Sequence, residues 1–81
     1  MKNVSTETYE TEVLVALGVV IRNIRKERGI SQEELAHLCR IDRSHMGRIE
    51  RGERNLAILN FIRISRALAC TPSELLRRAG Q

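Results

Sequence analysis

Apolar residues recur along most of the chain at spacings of three and four positions, which is the period of an α-helix. The clearest series is Leu14, Leu17, Ile21 and Ile24. It predicts a first helix that starts near Thr11, after a flexible polar arm over residues 1–10. Because apolar and polar residues do not alternate over any long segment, we expect no strands and an all-α domain over residues 11–81.

Glycine, cations and capping residues mark the ends of the predicted helices. Gly29 follows Lys26 and Arg28, and cations in the last turn with glycine after it are the usual stop signals of a helix. Ser31 and Glu34 have the spacing of a capping box, in which each side chain accepts a hydrogen bond from the other residue's backbone N–H. A short second helix should therefore begin directly after Ser31.

A tight turn at Arg40 and Ile41 is predicted to join this second helix to a third. Asp42 is a suitable N-cap for the third helix, because its side chain can accept a hydrogen bond from a free N–H of the first turn. The third helix should occupy residues 43–51 and stop at Gly52.

Two more helices are predicted after a loop at residues 53–56. The apolar positions that indicate the fourth helix are Ile58, Leu59, Ile62, Ile64 and Leu68. Thr71-Pro72-Ser73-Glu74 has the form of a second capping box with proline at the first helical position, and it predicts a fifth helix that ends at Gly80.

The third helix has an apolar side and a basic side. At 100° per residue, Met46 and Ile49 point toward the core. The opposite direction carries Arg43, Ser44, Gly47, Arg48 and Arg51, with no acidic residue. On an isolated helix this would be an ordinary solvated face. Here a second short helix precedes it across a tight turn, and the two together form a helix-turn-helix, whose second helix is the one presented to DNA.

Composition narrows the class of function further. The 81 residues include 14 Lys+Arg and 10 Asp+Glu, a net charge of +4, and twelve of the cations are arginine. Arginine forms paired hydrogen bonds with phosphate and with guanine, so this balance favours an anionic partner. A domain of this size has little room for both a core and a catalytic cleft, so we expect no enzyme, no cofactor and no small-molecule ligand.

Membrane, secreted and metal-binding proteins are also disfavoured. No apolar run approaches the ~20 residues that cross a bilayer, so no membrane partner is expected. Cys39 and Cys70 are too few for a disulfide framework and are not arrayed with His37 and His45 at zinc-finger spacing. We expect two reduced cysteines, no metal site and a cytoplasmic location.

Two stretches resemble a known family. Residues 22–36, RNIRKERGISQEELA, and residues 49–52, IERG, are similar in sequence and in mutual distance to the Xre or lambda-repressor-like helix-turn-helix family. Residues 41–56, IDRSHMGRIERGERNL, more narrowly resemble the small homodimeric controller proteins of restriction–modification systems. The resemblance covers about residues 14–78 and implies a compact five-helix domain that binds DNA and regulates transcription.

The resemblance also implies which residues contact DNA. Positions that reach base edges are matched by Arg43, Ser44 and Arg48. Positions that contact phosphate, sugar or flanking DNA are matched by Gln32, His45, Arg51, Arg54 and Asn55. His45 stands where tyrosine is usual, and it can equally be interpreted as a partly exposed packing residue.

One further match is structural, and two positions depart from the family. Arg25 and Glu50 match a partly buried ion pair that ties the first helix to the end of the third. Arg40 stands where glycine or asparagine is usual, so a left-handed backbone there would cost about 1 kcal/mol, or its side chain would serve a phosphate. Ala57 replaces a capping Ser or Thr, so the fourth helix should be weakly capped.

The expected partner is double-stranded operator DNA, bound by a homodimer. One domain reads only a few base pairs, whereas a twofold dimer reads a pseudo-palindrome with half-sites about one helical turn, roughly 34 Å, apart. The predicted dimer interface, which could equally be simple core, is Phe61, Leu68, Leu75, Leu76 and Ala79. An antitoxin-type or phage-type repressor, or a protein-interaction module on the same fold, remains the alternative.

Overall fold

The computed structural model describes residues 6–81, which form five α-helices. They are α1 (Thr6–Glu27), α2 (Gln32–Cys39), α3 (Arg43–Glu50), α4 (Ile58–Ala67) and α5 (Pro72–Arg78). No strand occurs in this part of the chain, which confirms the all-α prediction. None of the described helices is both long and apolar enough to span a bilayer.

The predicted boundary between α1 and α2 is confirmed in detail. Gly29 has a φ of 71°, a left-handed conformation that glycine adopts without strain. The Ser31 hydroxyl accepts a hydrogen bond from the Glu34 N–H at 3.0 Å, and the Glu34 carboxylate accepts one from the Ser31 N–H at 3.0 Å. The complete capping box fixes where α2 begins and so fixes the position of Gln32, its first residue.

The starts of α3 and α5 are capped less completely than the sequence predicts. Asp42 is at the N-cap position of α3, but its side chain makes no capping hydrogen bond. Ala57 leaves α4 without a side-chain cap, as expected. At α5 only half of the predicted box forms: the Thr71 hydroxyl accepts from the Glu74 N–H at 3.1 Å, whereas the Glu74 carboxylate pairs with Arg78 at 2.9 Å.

The helix α1 begins earlier than predicted. It includes Thr6, so the predicted start near Thr11 is wrong, and residues 6–10 belong to the helix rather than to an arm. Residues 1–5 of the predicted arm lie outside the described residues. The early turns of α1 lie beside the end of the chain, where the Tyr9 hydroxyl bonds Gln81 Oε1 at 3.3 Å.

The core is a single apolar cluster to which all five helices contribute. Its members are Leu17, Ile21, Ile24, Leu35, Ala36, Cys39, Met46, Ile49, Phe61, Ile64, Leu68, Leu75 and Ala79. The helix α1 packs against α3 and α5, while α2 packs against α3 and α4. Through these contacts α3 is held between α1 and α2, with one side buried and the other free.

Two glycines allow a close approach between α1 and the end of α3. A Cβ atom on Gly18 would overlap the Glu50 carbonyl oxygen and lie 2.7 Å from the Ile49 carbonyl oxygen. A Cβ on Gly52 would lie 2.7 Å from Val15 Cα. The main chains of α1 and α3 are therefore in direct contact, and this contact sets the position of α3.

Both cysteines are free thiols. Cys39 lies in the core, and burial raises the pKa of its thiol although nearby Arg63 acts in the opposite direction. Cys70 is half-buried, and its sulfur accepts from Arg28 Nη2 at 3.7 Å. The same guanidinium donates to the Leu68 carbonyl oxygen at 2.9 Å, so Arg28 ties the end of α1 to the end of α4.

Candidate nucleic-acid interface

The segment from α2 to α3 has helix-turn-helix geometry. Arg40 ends α2 in a left-handed conformation, with φ 58° and ψ 42°, and the N–H of Ile41 reaches back to the Ala36 carbonyl oxygen at 2.9 Å. These are the bonds of a helix end that turns the chain sharply. The turn residue is therefore left-handed, and arginine stands there in place of the glycine or asparagine that the resemblance makes usual.

The outer side of α3 is formed by exposed polar side chains. Met46 and Ile49 anchor the helix in the core, with 0% and 2% of their surfaces exposed. Arg43, Ser44 and Arg48 are exposed on the other side. Within the described residues, neither Arg43 nor Arg48 forms a hydrogen bond or ion pair through its guanidinium. Their donors are therefore available to a partner.

Gly47 is less exposed than the pattern of α3 indicates. It was predicted on the basic face but is buried, because the side chains of Gln32 and Arg51 lie over it. A Cβ at this position would be 3.3 Å from Gln32 Oε1 and 3.2 Å from Arg51 Nη1. His45, next to Met46, is half-buried.

A buried ion pair joins α3 to α1. Arg25 on α1 donates to both carboxylate oxygens of Glu50, Nε to Oε2 at 2.7 Å and Nη2 to Oε1 at 3.0 Å. The remaining Nη1 donates to the Ile30 carbonyl oxygen at 3.0 Å. Gln32 Nε2 donates to Glu50 Oε1 at 3.1 Å, so Glu50 also orients the side chain at the start of α2. The predicted structural role of this pair is thereby confirmed and extended to Gln32.

Arg51 has a partner that the sequence reasoning missed. Its Nε and Nη2 atoms donate to the Glu53 carboxylate at 3.0 and 3.3 Å. Both side chains are exposed, at 59% and 54%. The hydrogen bond from Arg51 holds the pKa of Glu53 below its ordinary value, and the charges of Arg51, Arg48 and Arg54 act in the same direction. Glu53 is only two residues after Arg51, so the short spacing between this arginine and this glutamate was the signal for the pair in the sequence.

The loop after α3 places its two predicted contact residues on different sides. Arg54 is exposed and lies beside Gly18 and Ile49, at the contact between α1 and α3. Asn55 is also exposed, and it lines a groove with Tyr9 of α1 and Leu76 of α5. The structure thus brings Arg54 near the end of α3 and directs Asn55 toward α5.

Four of the five predicted interface residues belong to the core of the protomer. Leu68 and Leu75 are 0% exposed, and Phe61 and Ala79 are 6% and 8% exposed. Leu68 and Leu75 therefore offer no surface to a second copy and Phe61 and Ala79 offer little, so burial argues against a direct interface role at these positions. Leu76, at 37% exposure, still has accessible apolar surface.

The helix α4 has exposed apolar residues that were predicted simply as part of its pattern. Ile58 and Leu59 are 67% and 63% exposed. At 100° per residue, Leu59 lies opposite to the buried side formed by Phe61, Ile64 and Leu68, whereas Ile58, at the start of α4, lies about 90° from that side. The α4 segment has more apolar positions than one buried face needs, and this excess was the sign in the sequence that some of them are exposed.

Comparison with known proteins gives consistent matches over most of the chain. A family model described as helix-turn-helix matches residues 21–75. Control protein C.BamHI of Bacillus amyloliquefaciens is 38% identical over 65 residues, which cover 79% of this chain and 80% of that protein. Control protein C.MunI of a Mycoplasma species is 35% identical over 65 residues, which cover 79% of this chain and 88% of that protein.

A solved structure with the same architecture is that of the restriction-modification controller protein C.AhdI from Aeromonas hydrophila. Its TM-score is 0.75 at 44% sequence identity, and the match covers 76% of this chain and 94% of that chain. The matched lengths show that the similarity extends beyond the two helices of the motif and includes most of the five-helix body.

Proposed function

Because this chain belongs to the helix-turn-helix family, in the group that contains the control proteins of restriction–modification systems, we propose that it is a sequence-specific DNA-binding regulator of transcription. In this proposal it acts as a homodimer in the cytoplasm, where it binds a pseudo-palindromic operator. The proposed function involves no catalysis and no cofactor.

One observation carries the proposal: Arg43 and Arg48 are exposed, without a hydrogen-bond or ion-pair partner among residues 6–81, on a helix whose other side is fixed in the core. Exposed arginines on a mobile segment would lose conformational entropy when they bind. Here α3 is already held by Met46, by Ile49 and by the ion pair of Glu50. A rigid helix that presents free donors is suited to specific recognition, because little ordering remains to be done on binding.

The dimensions of α3 suit the DNA major groove. An α-helix with its side chains is about 10–12 Å across, and the groove is about 12 Å wide. The eight residues of α3 provide about 12 Å of helix that can lie in it. An arginine there can donate two hydrogen bonds to O6 and N7 of guanine. We assign base contacts to Arg43, Ser44 and Arg48.

Contacts to the DNA backbone are assigned to the residues around α3. They are Gln32, His45, Arg51, Arg54 and Asn55. Gln32 is favourably placed because it is the first residue of α2, where free backbone N–H groups favour an anion. These contacts carry no sequence information, but they neutralise phosphate charge and should make binding strongly dependent on salt.

We place the dimer interface on the exposed apolar side of α4, at Ile58, Leu59 and half-buried Ile62, with Leu76 of α5 as an additional candidate. Large apolar side chains exposed next to one another favour association, since burying them removes apolar surface from water. Two copies related by a twofold axis would present two α3 helices to two successive major grooves.

Selection of binding sites from a pool of random duplexes tests the sequence-specific function. We expect enrichment of a pseudo-palindrome with half-sites about one helical turn apart. If no sequence is enriched and mixed-sequence DNA binds as tightly as any selected duplex, the regulator proposal fails, and a protein-interaction module becomes the better interpretation.

Sedimentation equilibrium tests the dimer separately. The double variant Ile58→Glu/Leu59→Glu should be monomeric and should lose affinity for the full site, while Leu38→Glu, a control at another exposed leucine, should remain dimeric. A double variant that still sediments as a dimer would place the interface elsewhere.

A further inference from the structure

A polar depression lies where α1, α2 and α3 meet. It is lined by Arg22, Arg25, Gln32, Gly47, Glu50 and Arg51. Its volume of about 220 Å³ is several times the roughly 30 Å³ share of one water molecule in the liquid, so it has room for a polyatomic anion. The depression is next to the exposed side of α3 but is not part of it.

The charges around the depression leave a positive surplus. Arg25 and Glu50 neutralise each other through their buried ion pair. Arg22 is exposed on α1, and within the described residues its guanidinium has no hydrogen-bond or ion-pair partner. Arg51 directs Nε and Nη2 to Glu53 and keeps Nη1 on the side of Gly47. Arg22 therefore supplies the uncompensated positive charge, and Arg51 Nη1 adds a donor that Glu53 does not occupy.

The floor of the depression is shaped by the absence of a side chain at Gly47. A Cβ there would lie 3.2 Å from Arg51 Nη1 and 3.3 Å from Gln32 Oε1, tighter than ordinary packing contacts. Gln32 Nε2 uses one hydrogen toward Glu50 and has a second one to give. Hydrogen-bond donors on α1, on α2 and at the end of α3 thus line this depression.

We propose that this depression receives one phosphate of the DNA backbone, and that Arg22 on α1 is a ligand of that phosphate together with Gln32 and Arg51. The inference rests on the proposed function and adds a residue to it. Because α1 and α3 are in main-chain contact at Gly18, a phosphate held by Arg22 fixes the DNA relative to the body of the protein. Arg22 would set how α3 enters the groove without reading a base.

The test is the salt dependence of duplex binding by Arg22→Gln. Each phosphate contact contributes about −0.9 to the slope of log affinity against log salt. The Arg22→Gln slope should be shallower by about 0.9 for each bound protomer. Equivalently, a fourfold rise in salt should weaken the wild type about 3.5-fold more per protomer than the variant. The loss should be equal for a selected duplex and for a duplex of mixed sequence.

Two further variants make the result specific to this site. Arg77→Gln removes the same charge from an exposed arginine on α5, and its slope should match the wild type. Arg22→Lys keeps the charge and should recover most of the slope. Because neither Arg22 nor Arg77 has a hydrogen-bond or ion-pair partner in the described part of the chain, thermal unfolding of all three variants should resemble that of the wild type.

The outcomes separate this inference from the function on which it rests. If the wild type selects a duplex but Arg22→Gln keeps the full slope, the phosphate role of Arg22 is overturned and the regulator function stands. If Arg77→Gln lowers the slope as much as Arg22→Gln, the effect is one of net charge and the site is again overturned. A wild type that binds no duplex overturns both.

Discussion

Arg25 and Glu50 join α1 to α3 through a two-pronged ion pair in which both side chains are almost fully buried, at 9% and 3% exposure. Removal of one partner leaves a buried charge without compensation, and such losses amount to about 3–5 kcal/mol. We expect Glu50→Gln and Arg25→Met each to lower the free energy of unfolding by this order in urea denaturation. The double variant Arg25→Met/Glu50→Leu should lose less than the sum, because no charge remains buried. Strict additivity would contradict the pairing.

The left-handed conformation of Arg40 leads us to expect a substitution that raises the free energy of unfolding. Arg40 and Ala69 both have a φ of 58°, at the ends of α2 and α4. Glycine adopts this conformation without the steric penalty of a Cβ, so Arg40→Gly and Ala69→Gly should each stabilise the protein by up to about 1 kcal/mol. Thermal unfolding measures the change. If only Ala69→Gly is stabilising, contacts of the Arg40 side chain offset its strain.

Gly18 should tolerate no side chain. In Gly18→Ala the new Cβ would overlap main-chain carbonyl groups of α3, which cannot rotate away, so we expect a loss of about 1–3 kcal/mol or more. Gly29→Ala is the control, because its φ of 71° is strained for alanine but no atom lies within 4 Å of the new Cβ. Its loss should be about 1 kcal/mol. Equal losses in urea denaturation would mean that α1 and α3 can separate at little cost.

Arg43 should determine sequence preference rather than overall affinity. Truncation in Arg43→Ala removes a donor pair on the exposed side of α3, and we expect discrimination at one base pair to fall by about 1–3 kcal/mol. Competition between the selected duplex and single-base variants of it gives this quantity. Uniform weakening on every duplex would instead make Arg43 a phosphate contact.

Glu53 should weaken DNA binding by the wild type. Its carboxylate occupies two donors of Arg51, and Glu53→Gln would release them and remove a negative charge near the phosphates. We expect affinity for any duplex to rise about fivefold at low salt, the order for one unit charge a few ångströms away in water. Glu33→Gln, the same change on the outer side of α2, should have a smaller effect.

The pH dependence of the Glu53→Gln difference follows from the lowered pKa of Glu53. Since the hydrogen bond from Arg51 favours the ionised carboxylate, Glu53 keeps its charge to a lower pH than an ordinary glutamate does. The difference in affinity between the wild type and Glu53→Gln should therefore be largely retained at about pH 4.3, where an ordinary glutamate is half protonated. A difference that has already fallen by half at that pH would show that the pKa of Glu53 is not lowered.

Local signals predicted the helices well and tertiary contacts poorly. The Ser31 box and the glycine after α1 involve residues a few positions apart, so their chemistry is visible in the sequence. The first turns of α1 are polar and resemble an arm, but Tyr9 is bonded to Gln81, 72 positions away. A contact at that separation leaves no periodic signal near Thr6.

Burial of small or apolar residues was harder to predict than their angular position. Gly47 is at an outward angle on α3, yet Gln32 and Arg51 cover it, and the reach of two long side chains is not encoded in a helical wheel. Leu68 and Leu75 were assigned to an interface because apolar periodicity cannot separate a core from a surface between copies. The exposed fraction of each side chain, which the sequence does not give, places the proposed dimer interface at Ile58 and Leu59 instead.

The direct contact between the main chains of α1 and α3 has an evolutionary consequence. The position of the exposed helix is set by Gly18, Gly52 and the core, and none of the side chains assigned to base contacts takes part in holding it. Residues 43, 44 and 48 are thus free to mutate with little effect on folding. Proteins of this design can diverge in the operators they recognise while their scaffold stays constant, so that several could act in one cell without interfering with each other.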